Sequence, residues 1–181
     1  KTLKAVPTVK VDGASTTLSM DERGQVHVYS RNWELDSMSS NMQLARRFQL
    51  DKMLWPGMAV QFELCGPGVQ SNRLKLPAQR PFVFAVWKDH HKIDRDQWPT
   101  GMPNLAVPEL DENEWALTGS VDDMIAKVDG LRGNVAKDRL DEGIVWHLHE
   151  DQRLSEGLAD ELGANRCFKI ISNKYLTKNG L

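Results

Sequence analysis

The sequence predicts an α+β domain in which mainly antiparallel sheets are flanked by a few helices. Short β-branched and aromatic runs, bounded by Gly and Pro, recur along the chain. The first two such runs are separated by Asp21-Glu22-Arg23-Gly24, a turn short enough for a hairpin. Helical spacing is confined to a segment after Asn41 and another after Ser120.

Bulk composition sets the bounds. A chain of 181 residues builds one substantial core, so residues 1–181 read as one domain. Hydrophobic residues at 40% and charged residues at 27% are ordinary for a globular protein. A net charge of −2 gives no global attraction to a polyanion, so a polynucleotide would have to meet a local basic surface. No apolar run approaches a membrane span and no leader is visible, which predicts an intracellular, cytoplasmic protein off the membrane. Cys65 and Cys167 lie in apolar contexts without metal or framework spacing, as in a reduced compartment. The chain opens at Lys1 without Met, and its first strong motif begins ten residues in, which reads as a fragment lacking a natural N-terminal portion.

The elements follow in order. Ala14-Ser15-Thr16-Thr17-Leu18 and Gln25 to Ser30 form the hairpin. Asn41 to Leu54 reads as a helix, with Met42, Ala45, Leu44 and Phe48 on one side and Asn41 as a cap, ended by Pro56-Gly57. Met58 to Cys65 is a buried strand, broken by Gly66-Pro67-Gly68 and followed by a basic loop from Ser71 to Leu76. Phe82 to Trp87 is the next strand, and Trp98 to Pro108 is a loop or insertion. Val121, Met124, Ile125 and Val128 follow Ser120 at helical spacing, with Gly130 past the end. Gly143 to Leu148 and Cys167 to Ile171 are the last strands, separated by a polar excursion.

Chemistry concentrates in a few places. Lys10-Val11-Asp12-Gly13 offers an amine that is a nucleophile toward phosphorus when neutral, and a glycine that lets backbone approach a ligand closely. Alone this pattern arises in roughly one chain of this length in fifty, and a surface lysine before an Asp-Gly turn is the commoner outcome. Its companions change the weighing. Glu63 interrupts an apolar strand, where an unpaired carboxylate is costly to bury. Glu142 heads the strand Gly143-Ile144-Val145, and Lys169 sits inside Phe168-Lys169-Ile170-Ile171, where a lysine demands an anionic partner. Each has an ordinary explanation as a solvated strand position.

The order of these elements, with Ser30-Arg31-Asn32 and Phe62-Glu63-Leu64-Cys65-Gly66-Pro67-Gly68-Val69-Gln70 and Ser172-Asn173-Lys174-Tyr175-Leu176, resembles the covalent nucleotidyltransferases. Asn72 and Arg73 add to the likeness. Within that superfamily it is most similar to the ATP-dependent RNA ligases of the Deinococcus and Naegleria type, over Pro7 to Lys178. The resemblance implies an adenylyltransferase domain, an ATP-grasp-like ligase fold, using ATP and Mg²⁺ or Mn²⁺ on RNA or an RNA-containing nicked duplex, as a monomer. It implies that Lys10 becomes adenylylated, that Asp12 and Gly13 lie beside the nucleotide, and that Glu63 hydrogen-bonds the ribose. Phe84 would stack on adenine, with Phe82 as fallback, and Arg31 would contact the phosphate of the end being joined. Asp12, Glu63 and Glu142 would position the metal, Lys169 would contact the α-phosphate, and Lys174 would add a second charge.

The sequence departs from the family at Phe62, commonly Gly, and at Ile171, often a second lysine. A DNA ligase, a capping guanylyltransferase and a degenerate nucleotide-binding module are the rival readings. His147 and His149, with Glu150 adjacent, read as an exposed strand edge rather than a metal site. The six tryptophans read as core or boundary residues, and Arg46-Arg47 and Arg73-Lys75 as solvated cations within reach of a phosphate backbone.

Overall fold

The computed structural model describes residues 3–149, 153–163 and 166–181. Its elements are β1 (Ala5–Lys10), β2 (Ala14–Met20), β3 (Val26–Tyr29), β4 (Glu34–Leu35), α1 (Ser40–Arg47), β5 (Met58–Cys65), β6 (Arg80–Lys88), β7 (His91–Ile93), α2 (Val121–Val128), β8 (Gly143–Leu148), α3 (Glu156–Leu162), β9 (Cys167–Ile171) and α4 (Asn173–Asn179). All the sheet pairings between these strands are antiparallel, which meets the predicted α+β class. The chain divides into two compact units, one of Asp12–Val107 and one of Lys1–Val11 with Pro108–Leu181.

The Asp12–Val107 unit is built on a six-stranded sheet in the order β4-β3-β2-β5-β6-β7. Strict alternation along β5 sends Met58, Val60, Phe62 and Leu64 into the core, leaving Ala59, Gln61 and Glu63 on the other face. Leu18 and Val28 add to the core face, and α1 covers it with Met42, Leu44 and Ala45. Ser39 caps α1, accepting from the Met42 N–H; Asn41, the expected cap, instead donates to the buried Thr16 hydroxyl at 2.7 Å. The helix also stops earlier than its periodicity predicts. Gln49 is left-handed at φ 58°, and a 3-10 turn, Leu50–Lys52, follows. Along an uninterrupted helix Leu50 would lie about 240° around from Leu44, off the apolar stripe. The break lets Leu50 and Leu54 join the core.

The other unit is built on a three-stranded sheet in the order β1-β8-β9. One face carries Ile144, Trp146, Phe168 and Ile170, packed with Trp115, Met124, Val128 and Leu131. The Trp146 and Phe168 rings stack 5.5 Å apart, and the Trp146 indole N–H donates to the Trp115 carbonyl at 2.8 Å. The predicted helix start at Ser120 is a capping box closed reciprocally with Asp123.

The hairpin, the Ser120 helix start and most strand limits follow the sequence. β1, β4, β7, α3 and α4 are additions to the predicted elements, all short and without a strong period of their own.

Candidate active site

Register decides which residues of the β1-β8-β9 sheet share a face. Lys10 pairs with Gly143, which pairs with Ile171; Thr8 pairs with Val145, which pairs with Lys169. Paired residues in an antiparallel sheet point the same way, and so do residues two apart. Lys10, Thr8 and Lys169 therefore project from the face opposite the apolar core. Lys10 Nζ lies 2.6 Å from Glu142 Oε2, with side chains only 20% and 12% exposed. Glu142 is carried just before β8, so the pairing that brings Gly143 beside Lys10 also delivers the carboxylate. Gly143 suits that row because a Cβ there would lie 2.1 Å from the Ile170 carbonyl oxygen.

Asp141, which the sequence reading passed over, is the anchor behind Glu142. It is fully buried and accepts from Asn134 Nδ2 at 2.8 Å, the Asn134 N–H at 3.2 Å and the Val135 N–H at 3.3 Å. An acidic residue beside an acidic residue gave no distinct signal in one dimension.

Lys169 is exposed on β9. Lys174 is on α4, in the first turn after the Ser172 cap, with its backbone N–H donating to Asp129 at 3.3 Å. Burial raises the Asp129 carboxyl, but the hydrogen bonds from Lys174, Ser172 and Asn173 bring it below the ordinary range. Lys174 therefore belongs to a helix start, not to the strand that carries Lys169.

In the Asp12–Val107 unit, Asp12 is ion-paired with Arg73 at 2.8 Å, side chains 13% and 17% exposed. Arg73 is thus turned inward, unlike the solvated cation its sequence context predicts. A Cβ on Gly13 would meet the Leu64 carbonyl oxygen at 2.3 Å, Cys65 Sγ at 2.6 Å and Glu63 Cγ at 3.0 Å. Gly13 lets the motif backbone press against β5 where Glu63 emerges. Glu63 pairs with Ser15 on one side and Phe82 on the other, on the face away from the core. Phe62 points into the core, so its bulk lies off the Glu63 face.

The aromatic strand holds a surprise. Gln61 pairs with Ala85 but Phe62 pairs with Val83, so Phe84 is the extra residue of a β-bulge. Simple alternation would give Phe82 and Phe84 one face; the bulge breaks that rule. Phe82 is buried under the Arg80 guanidinium, 4.5 Å from its ring centre, whereas Phe84 is half-buried and takes no part in the core clusters described above.

Arg31 is exposed in the turn between β3 and β4, where the Ser30 N–H donates to the Trp33 carbonyl at 2.8 Å. Trp33 beside it is 74% exposed and Trp55 46% exposed, which corrects their reading as core or boundary; Trp98, Trp115 and Trp146 are buried as expected. His147 bonds the Thr8 hydroxyl at 3.2 Å and His149 lies 3.7 Å from Glu112; Glu150 is outside the described residues. Among the described residues no three His, Cys, Asp or Glu side chains converge closely enough to hold a metal ion directly.

The RNA ligase family model matches residues 4–171. The chain belongs to the RNA ligase family. Solved structures of Naegleria gruberi RNA ligase agree with this family assignment. The form with PPi is 25% identical with a TM-score of 0.76, covering 99% of this chain and 52% of that one. A mutant with ATP and Mn gives the same values, and another mutant with ATP and Mn is 26% identical with a TM-score of 0.75. This RNA ligase family chain thus spans about half the length of the solved relative. Comparison with curated proteins finds no match. Cys65 and Cys167 are thiols rather than a disulfide, and no described helix is long and apolar enough to cross a membrane.

Proposed function

We propose that this chain is the adenylyltransferase part of an ATP-dependent RNA ligase, working as a cytoplasmic monomer on RNA or an RNA-containing nicked duplex. The observation that carries the reading is the Lys10–Glu142 pair at 2.6 Å, on a sheet whose same face projects Lys169. The amine attacks the α-phosphorus of ATP, forming the Nζ–P bond as the bond to the bridging oxygen breaks and pyrophosphate leaves. The ammonium must first lose a proton, and Glu142 is placed to take it. Lys169 offers positive charge to the negative charge that builds on the α-phosphate oxygens. AMP then passes to a 5′-phosphate, and a 3′-hydroxyl displaces AMP to seal the strand.

Glu63 accepts from the ribose hydroxyls, and the exposed part of Phe84 stacks on adenine, Phe82 being covered by Arg80. Arg31, in its exposed turn, binds the phosphate of the end being joined, and Lys174 adds positive charge. A bound Mg²⁺ or Mn²⁺ would supply neutralising charge at the α-phosphate. Asp12, Glu63 and Glu142 suit a hard cation that keeps much of its water shell and takes phosphate oxygens besides.

Intact-mass measurement after incubation with ATP and Mg²⁺ or Mn²⁺ tests the reading. One added AMP is expected, absent in Lys10→Ala. A GMP adduct from GTP, an AMP adduct of equal yield in Lys10→Ala, or no adduct at all overturns it.

A further inference from the structure

The segment after β5 touches the nucleophile motif twice. Its Gln70 side-chain amide donates to the Gly13 carbonyl, and its Arg73 guanidinium donates to Asp12 Oδ2 at 2.8 Å. These contacts come from residues three apart, and they grip consecutive residues of the motif. The segment is built for rigidity rather than left loose. Gln70, Asn72 and Lys75 all adopt left-handed backbone conformations, at φ 45°, 40° and 55°, which non-glycine residues rarely keep unless their surroundings hold them. Here they are held. Asn72 bonds both the N–H and the carbonyl of Leu76 at 3.1 Å, Gln79 donates to the Pro67 carbonyl at 2.8 Å, and Val69, Leu74 and Leu76 are buried beneath.

We propose that this loop is a positioning clamp for the adenylylation motif, with Arg73 as its decisive residue and Gln70 as its second point. The inference rests on the ligase reading above but is separable from it. Arg73 acts through Asp12: the guanidinium fixes the carboxylate's direction, and the Gln70 bond fixes the backbone two residues after the Asp12-side neighbour of Lys10. Lys10 itself is held by the pairing of β1 with β8, so the loop acts on the motif through Asp12 and Gly13, and an Asp12 carboxylate released from Arg73 loses its direction. Displacement by about 1 Å at a reacting group costs on the order of 100-fold in rate.

The experiment measures single-turnover formation of the AMP adduct at saturating and sub-saturating ATP, with thermal melts alongside. Arg73→Ala should slow the step by about 100-fold at saturating ATP, Arg73→Lys should restore much of it, and the ATP concentration at half-saturation should change little. Combined with Asp12→Ala, Arg73→Ala should add no further loss, because it acts through the same side chain. Gln70→Ala, at an exposed position, should slow the step by about 10-fold without unfolding the chain, and it stands in if Arg73→Ala does not fold. Wild-type-like rates in both single variants, or independent losses from Arg73→Ala and Asp12→Ala that multiply, would overturn the clamp. A wild-type chain that forms no adduct would instead overturn the ligase reading.

Discussion

A methyl group added at Gly13 would sit 2.3 Å from the Leu64 carbonyl oxygen, which cannot swing aside as a side-chain end would. It would also meet Cys65 Sγ at 2.6 Å, so two neighbouring residues of β5 oppose it. The backbone of β2, or that of β5, must shift, and Glu63 sits on the displaced stretch. Gly13→Ala should therefore cost about 1–3 kcal/mol in denaturant unfolding and also lower the affinity for ATP. Gly24→Ala is the matching control, since a Cβ there meets nothing within 4 Å and only the backbone preference at φ 79° is strained. A Gly13→Ala protein as stable and as tight for ATP as wild type would show that the close approach to β5 has no role.

At the scale of elements, β4 is a two-residue edge strand with a titratable clasp. His27 on β3 reaches Glu34 on β4 at 2.9 Å and Asp21 in the β2–β3 turn at 3.5 Å. The Glu34 hydrogen bond, against the opposing pull of desolvation and with help from Asp21, holds the His27 imidazolium above its usual range. A raised folded pKa means that the clasp is fully present below pH 6.5, the ordinary histidine value, and is lost as pH rises through the folded value. The protection of the Glu34 and Leu35 amides, taken as exchange relative to the intrinsic rate at each pH, should fall over that upward window, and His27→Gln should remove the fall. Protection that is flat with pH in the wild type would sink the clasp. Neither β4 nor this contact was legible in the sequence, because a two-residue strand has no period and His27 meets Glu34 only once the hairpin has formed. Long alternating strands were legible, and so was the helix start at Ser120, because their signals are local. The Phe84 bulge was not: alternation counts residues along one strand, whereas a bulge is a mismatch between two. The inward turn of Arg73 was hidden similarly, since its partner Asp12 lies 61 residues away.

At the scale of the whole molecule, the two units differ in how the chain builds them. Asp12–Val107 is continuous, whereas the other unit needs Lys1–Val11 as well as Pro108–Leu181. Its sheet runs β1-β8-β9, so removing the first eleven residues takes away one flank of β8 along its full length, from Ala5 opposite Leu148 to Lys10 opposite Gly143. What remains is a two-stranded ribbon with an open edge, a form that is marginal in water without further strands. The continuous unit keeps its six strands and its own core. Expressed alone, residues 12–107 should unfold cooperatively in denaturant, and residues 108–181 should show no sharp transition. Joining residues 1–11 behind residue 181 through a flexible linker should restore cooperativity to the second fragment, because loop closure costs grow only slowly with length. Lys10 would then lie beside Glu142 again, so the test reads the same pairing that places the nucleophile. A cooperative transition in residues 108–181 by themselves, with no gain from the linked strand, would show that β1 contributes its lysine but not the stability of its sheet.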